Sequence, residues 1–201
     1  MPGKLMQSAI AKFVLATLAC LLCIVSSSLL SGVQALNLGL CYVYLHVREN
    51  MLSARVEIPI KELNQVLDLE LPAEKKIRSD DIEPHLEQLG AYVDEHLTLD
   101  CAPQVCNLVF QDYRFLNTTF AQFLTIDYAL EGFQQMPEAI DATYDVILEQ
   151  LPQHTTMLLV EENWMTGTFQ NESEPSMIFR QPGQTQTLDL TSGDSSSCKR
   201  C

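Results

Sequence analysis

Carboxylates in series are the first residues whose spacing could do chemistry. Between Leu67 and Val93 the chain reads LDLELPAEKKIRSDDIEPHLEQLGAYV, acids running into a helical pattern, as a calcium loop would. A twelve-residue EF-hand loop needs short oxygen ligands at positions one, three and five, glycine at six, and a bidentate glutamate at twelve. With Ile77 at the apolar eighth position, these fall on Glu70, Pro72, Glu74, Lys75 and Asp81. Proline supplies no side-chain oxygen, and Lys75 and Lys76 bring positive charge to the site. The stretch is therefore read as a connector of EF-hand shape that binds no calcium, and no metal ligands are assigned anywhere in the chain.

Cysteines and histidines come next. CAPQVC, from Cys101 to Cys106, closes a short loop with Pro103 aiding the turn, and in an oxidising compartment it predicts a disulfide that staples a strand end. CKRC, Cys198 to Cys201, has redox spacing but follows the polar tail TSGDSSS with no βαβ context. Cys41 is left as the odd thiol, expected in a buried strand. His85 and His96 stand eleven residues apart on one expected helix, too far to share a metal. His154, in LPQHTT, reads as a turn residue, and His46 completes the set of imidazoles. Glu161 and Glu162 adjoin in an expected strand, where neighbours alternate faces and so do not converge. Trp164 with Tyr144 and Phe169 would line a binding face, though core packing accounts for such aromatics more simply. No nucleophile elbow, zincin helix, P-loop or dinucleotide fingerprint is present, so no catalytic residue and no cofactor are assigned.

The elements that must position these residues follow an export signal. Lys4 and Lys12, the apolar FVLATLACLLCIV from Phe13 to Val25, and Val33-Gln34-Ala35 make residues 1–35 a signal peptide, with an uncleaved anchor as the alternative. Without them, ten bases face all 26 acids, a net charge of −16 over residues 36–201. That charge repels nucleic acid and anionic lipid and serves solubility, which leaves the N-terminal segment as the one membrane contact. Residues 36–190 are long enough for one extracytoplasmic domain, periplasmic or at the cell surface, and 191–201 read as a disordered tail. Asn117-Thr118-Thr119 and Asn171-Glu172-Ser173 match glycosylation sequons, which carry no meaning in a bacterial protein.

Within that domain CYVYLHV and MLSARVEI form a hairpin about a turn at Arg48–Asn50. A short helix, IKELNQVLDL, and a longer one follow; the second has Ile82, Leu86, Leu89, Val93 and Leu97 at helical spacing, Asp80 and Glu83 as a capping box, and Pro84 in its first turn. LTL, NLVFQDYRF, FLTIDYAL, TYDVILEQ, TTMLLVEE, WMTGTFQ, SMIFRQ and TQTLDL then read as strands. The inventory predicts an α+β fold, an antiparallel β-sandwich with a two-helix, degenerate EF-hand-like insertion after the first hairpin.

The ordered set YVYLHVRENMLSARVEIPIKELNQVLDL, SDDIEPHLEQLGAYVDEHLTL, FLTIDYAL, LPQHTTMLLVEE and SMIFRQPGQTQTLDL resembles the exported N-terminal domain of HupE/UreJ-type bacterial membrane proteins, over roughly residues 40–190. Members often carry a D-x-D-G-D-G loop, from which Glu70, Pro72, Glu74 and Lys75 depart. The resemblance implies a non-enzymatic domain with a membrane-protein partner or its own transmembrane part. The family's proposed nickel or cobalt permease activity belongs to a multi-helix domain that residues 36–201 do not contain. A metal-handling accessory module, suggested by the acidity and His154, is the alternative.

Overall fold

In a computed structural model, residues 39–72, 76–101, 103–171 and 173–192 are described. The expected signal segment 1–35, Glu74, Lys75, Cys198 and Cys201 lie outside them.

The alternating sequences become strands because period two puts every second side chain on one face. β1 (Leu40–Arg48) and β2 (Met51–Pro59) form the expected hairpin, with Val43 opposite Val56 and Leu45 opposite Ala54. β5 (Gln122–Glu131) pairs antiparallel with β2, and β4 (Asn107–Asn117) with β5. On the other flank β7 (Thr155–Asn163) lies parallel to β1, and short β8 (Met177–Phe179) pairs antiparallel with β7. The sheet order is β4-β5-β2-β1-β7-β8. The wholly antiparallel expectation is thus corrected at its centre. A second sheet, β3-β6-β9, is antiparallel: β3 (Leu97–Asp100), β6 (Ala139–Tyr144) and β9 (Thr185–Asp189). The architecture is two-sheeted, mainly β, sandwich-like α+β.

The helices are α1 (Ile60–Leu67), α2 (Ser79–Ile82) and α3 (Leu86–His96). The long second helix was expected whole, but a 3₁₀ turn, Glu83–His85, divides it. Proline has no N–H for the α-helical ladder, and the chain tightens at Pro84 instead of continuing. Helix entry also falls earlier than Asp80 and Glu83 imply. Arg78 N–H donates to Asp81 Oδ2 at 2.9 Å, and Asp81 N–H to Arg78 O at 3.0 Å. Asp81 thus acts from the third helical position, as an acid in a capping box does.

The core lies on one face of the six-stranded sheet. Val43, Leu45, Val47, Leu52, Ala54, Val56, Ile58, Leu124, Ile126 and Leu158 join Ile60 and Leu63 of α1, Leu89 and Val93 of α3, and Leu97, Ile140 and Ala142 of the second sheet in one buried cluster. TYDVILEQ is not a strand throughout. After Tyr144 the chain wraps into turns, with Leu148 N–H on Asp145 O and Leu151 N–H on Ile147 O, and Val146, Ile147 and Leu148 are fully buried. An unbroken apolar run reads alike for a buried strand and a buried turn. WMTGTFQ likewise folds as a tight turn, closed by paired bonds between Asn163 and Thr168, with Gly167 at φ 73°.

Candidate functional site

Residues that β1, β2 and β5 do not turn toward the core form the opposite, outer face of the large sheet. Cross-strand register arranges them in rows: Tyr42–Glu57–Thr125, then Tyr44–Arg55–Asp127, then His46–Ser53–Ala129. Beside them the β1–β7 register slips, so that Leu45 faces Val160 but His46 faces Glu162. Glu161 is the extra residue of a bulge, a device that re-aims side chains. Both Glu161 and Glu162 reach the outer face, which overturns the expectation that adjacent carboxylates on this strand diverge. Strict alternation fails where one strand carries an extra residue.

The bulge assembles an ionic network. His46 Nε2 stands 2.7 Å from Glu161 Oε2, and since an ionised carboxylate only accepts, Nε2 carries the proton. Arg55 Nη2 lies 2.9 Å from the same oxygen, while its Nε is 3.1 Å from Glu57 Oε1. The latter contact is ionic rather than hydrogen-bonded, for Nε has no aligned acceptor among the described residues. Arg48 Nε donates to Glu162 Oε2 at 2.8 Å, and Arg114 pairs with Asp127. The Arg55 guanidinium also sits 4.3 Å from the centroid of the Tyr44 ring, a cation–π contact. Tyr42 stacks on Tyr44 with centroids 6.0 Å apart.

Burial makes this more than a surface lattice. Glu57 is only 7 % exposed, and desolvation pushes its carboxyl above the usual range despite Arg55 and Arg114. Tyr44 is pushed up to about 12, by burial first and then by the Glu57 charge. Thr125, 1 % exposed, has no hydrogen-bond partner for Oγ1 among the described residues. Leu159 and Tyr44 are buried yet lie outside the core cluster, as befits this other face.

The remaining sequence candidates disperse. The Cys101 and Cys106 sulfurs are at bonding distance with Cα atoms 5.6 Å apart, linking the end of β3 to the start of β4 and hence one sheet to the other. Cys41 is buried, and desolvation pushes its thiol up to about 12, which makes it inert as a nucleophile. His154 is buried beside Gly39 with Nδ1 unpartnered among the described residues, and burial lowers its pKa. His85 lies in the 3₁₀ turn and His96 at the end of α3, so the two do not share one helix. Among the described residues no three His, Cys, Asp or Glu side chains group so as to hold a metal ion. Tyr144 is core, whereas Trp164 and Phe169 are 45 % and 64 % exposed, so the three do not form one face. Asn171 is engaged structurally, its amide donating to Val160 O and Glu174 O.

An open depression of about 310 Å3 lies between α3, β3 and β4, lined by Asp94, Thr98, Leu99, Cys106 and Asn107 among others. Its one carboxylate, Asp94, is pushed up by desolvation, and no histidine, lysine or second acid lines the depression with it. Among the described residues no helix is long and apolar enough to cross a membrane.

Compared with known proteins, the chain matches no family model and no curated protein.

Proposed function

We propose that the chain is a non-enzymatic, extracytoplasmic binding domain of the HupE/UreJ type, with the outer face of the six-stranded sheet as its contact surface for a membrane protein. One observation carries this reading: a bulge in β7 brings Glu161 onto the same face as His46, Arg55 and Glu57, where half-buried charges cost free energy without serving the core. Such groups persist where they specify a contact. The helix–connector–helix between β2 and β3 is, on this reading, the family's EF-hand-like insertion with its calcium ligands lost, as Pro72 in a ligand position supports. The Cys101–Cys106 pair fits an oxidising, exported location.

The test is a photo-reactive residue at Tyr42, with a control at Gln186 on the second sheet, in the envelope of the natural host. The expected result is an adduct with a membrane protein at position 42 only. Equal adducts at both positions, or none at either, refute the contact surface. Titration with nickel and cobalt judges metal handling: heat at micromolar metal would favour that function instead.

A further inference from the structure

At one end of the six-stranded sheet an apolar tip stands in water. Asn117 pairs with Gln122 across the β4–β5 hairpin, and the turn between them closes on itself. Thr118 Oγ1 donates to Ala121 O at 2.8 Å and accepts from Ala121 N–H at 3.0 Å, while Thr118 N–H donates to Ala121 O at 2.9 Å. The turn holds Phe120 out at 95 % exposure, with Leu116 41 % exposed behind it. No charged residue occurs from Phe115 to Ile126, and polar groups paired in this way no longer need water. Moving the ring into an apolar phase therefore gains its full transfer free energy with little desolvation to offset it.

Cations flank this tip. Gln122 brackets Ile77, accepting from its N–H at 2.9 Å and donating to its carbonyl at 2.8 Å. That contact sets Lys76 and Arg78 at the base of the hairpin, both exposed and in no ion pair among the described residues. Of the acids that follow, Asp81 is turned back onto Arg78 N–H, and Asp80 is exposed on α2. In a chain of net charge −14 such a pair of free cations is a local reversal of sign. Cations around an aromatic tip match a phospholipid surface, phosphates outside and acyl chains beneath.

The chain enters the sheet at this same end. Pro59 pairs with Phe123, and β1, antiparallel to β2, begins there at Leu40. Two to three strand spacings put the tip about 10–14 Å across the sheet from β1. Val25, the last residue of the apolar run, is 14 residues before Gly39, a tether of at most ~50 Å. We propose that residues 1–35 stay in the bilayer as an anchor and that the Phe120 tip is the domain's second foothold, dipping into zwitterionic phospholipid with Lys76 and Arg78 on the phosphates. One ring alone holds a membrane only marginally, and the tether supplies the effective concentration that makes the contact persist. The inference rests on the membrane setting proposed above and orients the domain in it, Leu40 end toward the lipid and Trp164 end away.

The chain's single tryptophan supplies the control. Trp164 N–H bonds Val47 O at the opposite end, seven residues or about 23 Å along β1 from Leu40. The full chain is reconstituted in phosphatidylcholine vesicles with and without brominated acyl chains, in its natural sequence and as Phe120→Trp with Trp164→Phe. Brominated lipid should quench the introduced indole several-fold more than it quenches Trp164, and the emission should shift to the blue. Lys76→Gln with Arg78→Gln should lessen both effects, and unchanged quenching overturns the phosphate contact. Should Trp164→Phe fail to fold, Phe120→Trp alone reads the same contrast as added quenching. Equal quenching at the two positions, or none at either, overturns the foothold. So does a tip that stays unquenched while a photo-reactive residue at Phe120 labels a protein in the host envelope. The photo-crosslink at Tyr42 does not depend on these results and judges the contact surface alone.

Discussion

Gly39→Ala should cost the domain about 3 kcal/mol, through one side chain. Gly39 immediately precedes β1, and its carbonyl accepts from Thr155 N–H at 3.1 Å. A Cβ at Gly39 would lie 1.8 Å from His154 Cε1 and 2.1 Å from Nδ1. Apolar carbon contacts settle near ~3.5 Å, so the ring would have to retreat by about 1.7 Å. His154 is buried, and its backbone N–H is held by Leu151 O at 2.9 Å, so retreat means shifting β7 or leaving the rotamer. Overpacking of this kind costs ~1–3 kcal/mol, and this clash belongs at the upper end. In a domain of this size ~3 kcal/mol lowers Tm by roughly 6–12 °C. Urea unfolding should report the loss as a lower midpoint at unchanged slope. The decisive measurement is the cycle with His154→Ala. Without the imidazole, Gly39→Ala should cost less than ~0.5 kcal/mol, since alanine also restricts the unfolded chain, and the coupling should reach ~2–3 kcal/mol. Equal costs for Gly39→Ala in both backgrounds would refute the reasoning.

Other consequences are equally direct. Replacing Cys101 and Cys106 by serine frees a six-residue loop, and chain entropy sets the expected loss at about 2 kcal/mol, readable as a lower urea midpoint. Because burial depresses the His154 pKa, protonation favours the unfolded chain. Stability is then full above pH ~6.5 and falls as pH drops below that value, and His154→Gln should flatten this part of the urea-midpoint profile. Arg55→Ala leaves Glu57 and Glu161 without their shared cation and should cost about 3 kcal/mol, whereas Arg48→Ala, at an exposed pair, should cost under ~1 kcal/mol by the same assay. Cys41 should resist maleimide at pH 8 in the folded chain and react at once in denaturant.

Much of the scaffold was legible because a half-buried strand carries its own face label. Leu52, Ala54, Val56 and Ile58 point inward as their alternation requires, and so do Leu124, Ile126, Tyr128 and Leu130. Alternation does not say which strand lies beside which, so nothing in TTMLLVEE marks it as the parallel neighbour of β1. The site escaped for the same reason. The bulge at Glu161 is a relation between two strands 115 residues apart, and only their register reveals that Glu161 and Glu162 share a face. Local reading also failed at Val146-Ile147-Leu148, where burial without periodicity marks a turn. At Pro84 the sequence does carry the signal, since a proline inside a helical pattern has no N–H for the ladder and divides it. Asn163, at the end of β7, shows what no pattern could supply: its amide donates to Leu190 O at 2.7 Å across 27 residues.

The parallel pairing of β1 with β7 also sets an order of events during synthesis. β1 finds β2 within a few residues, but its other edge waits until β7 is made, and at ~5–20 residues per second that interval is roughly 6–23 s. Throughout it the apolar edge Cys41–Val47 is open to foreign strands, a demand on holding chaperones that an order with β1 at the rim would not impose. His46 and Arg55 meet Glu161 only when that edge closes. A nascent or prematurely ended chain therefore carries an incomplete outer face, and under the contact surface proposed above engagement would certify that the whole domain has been made.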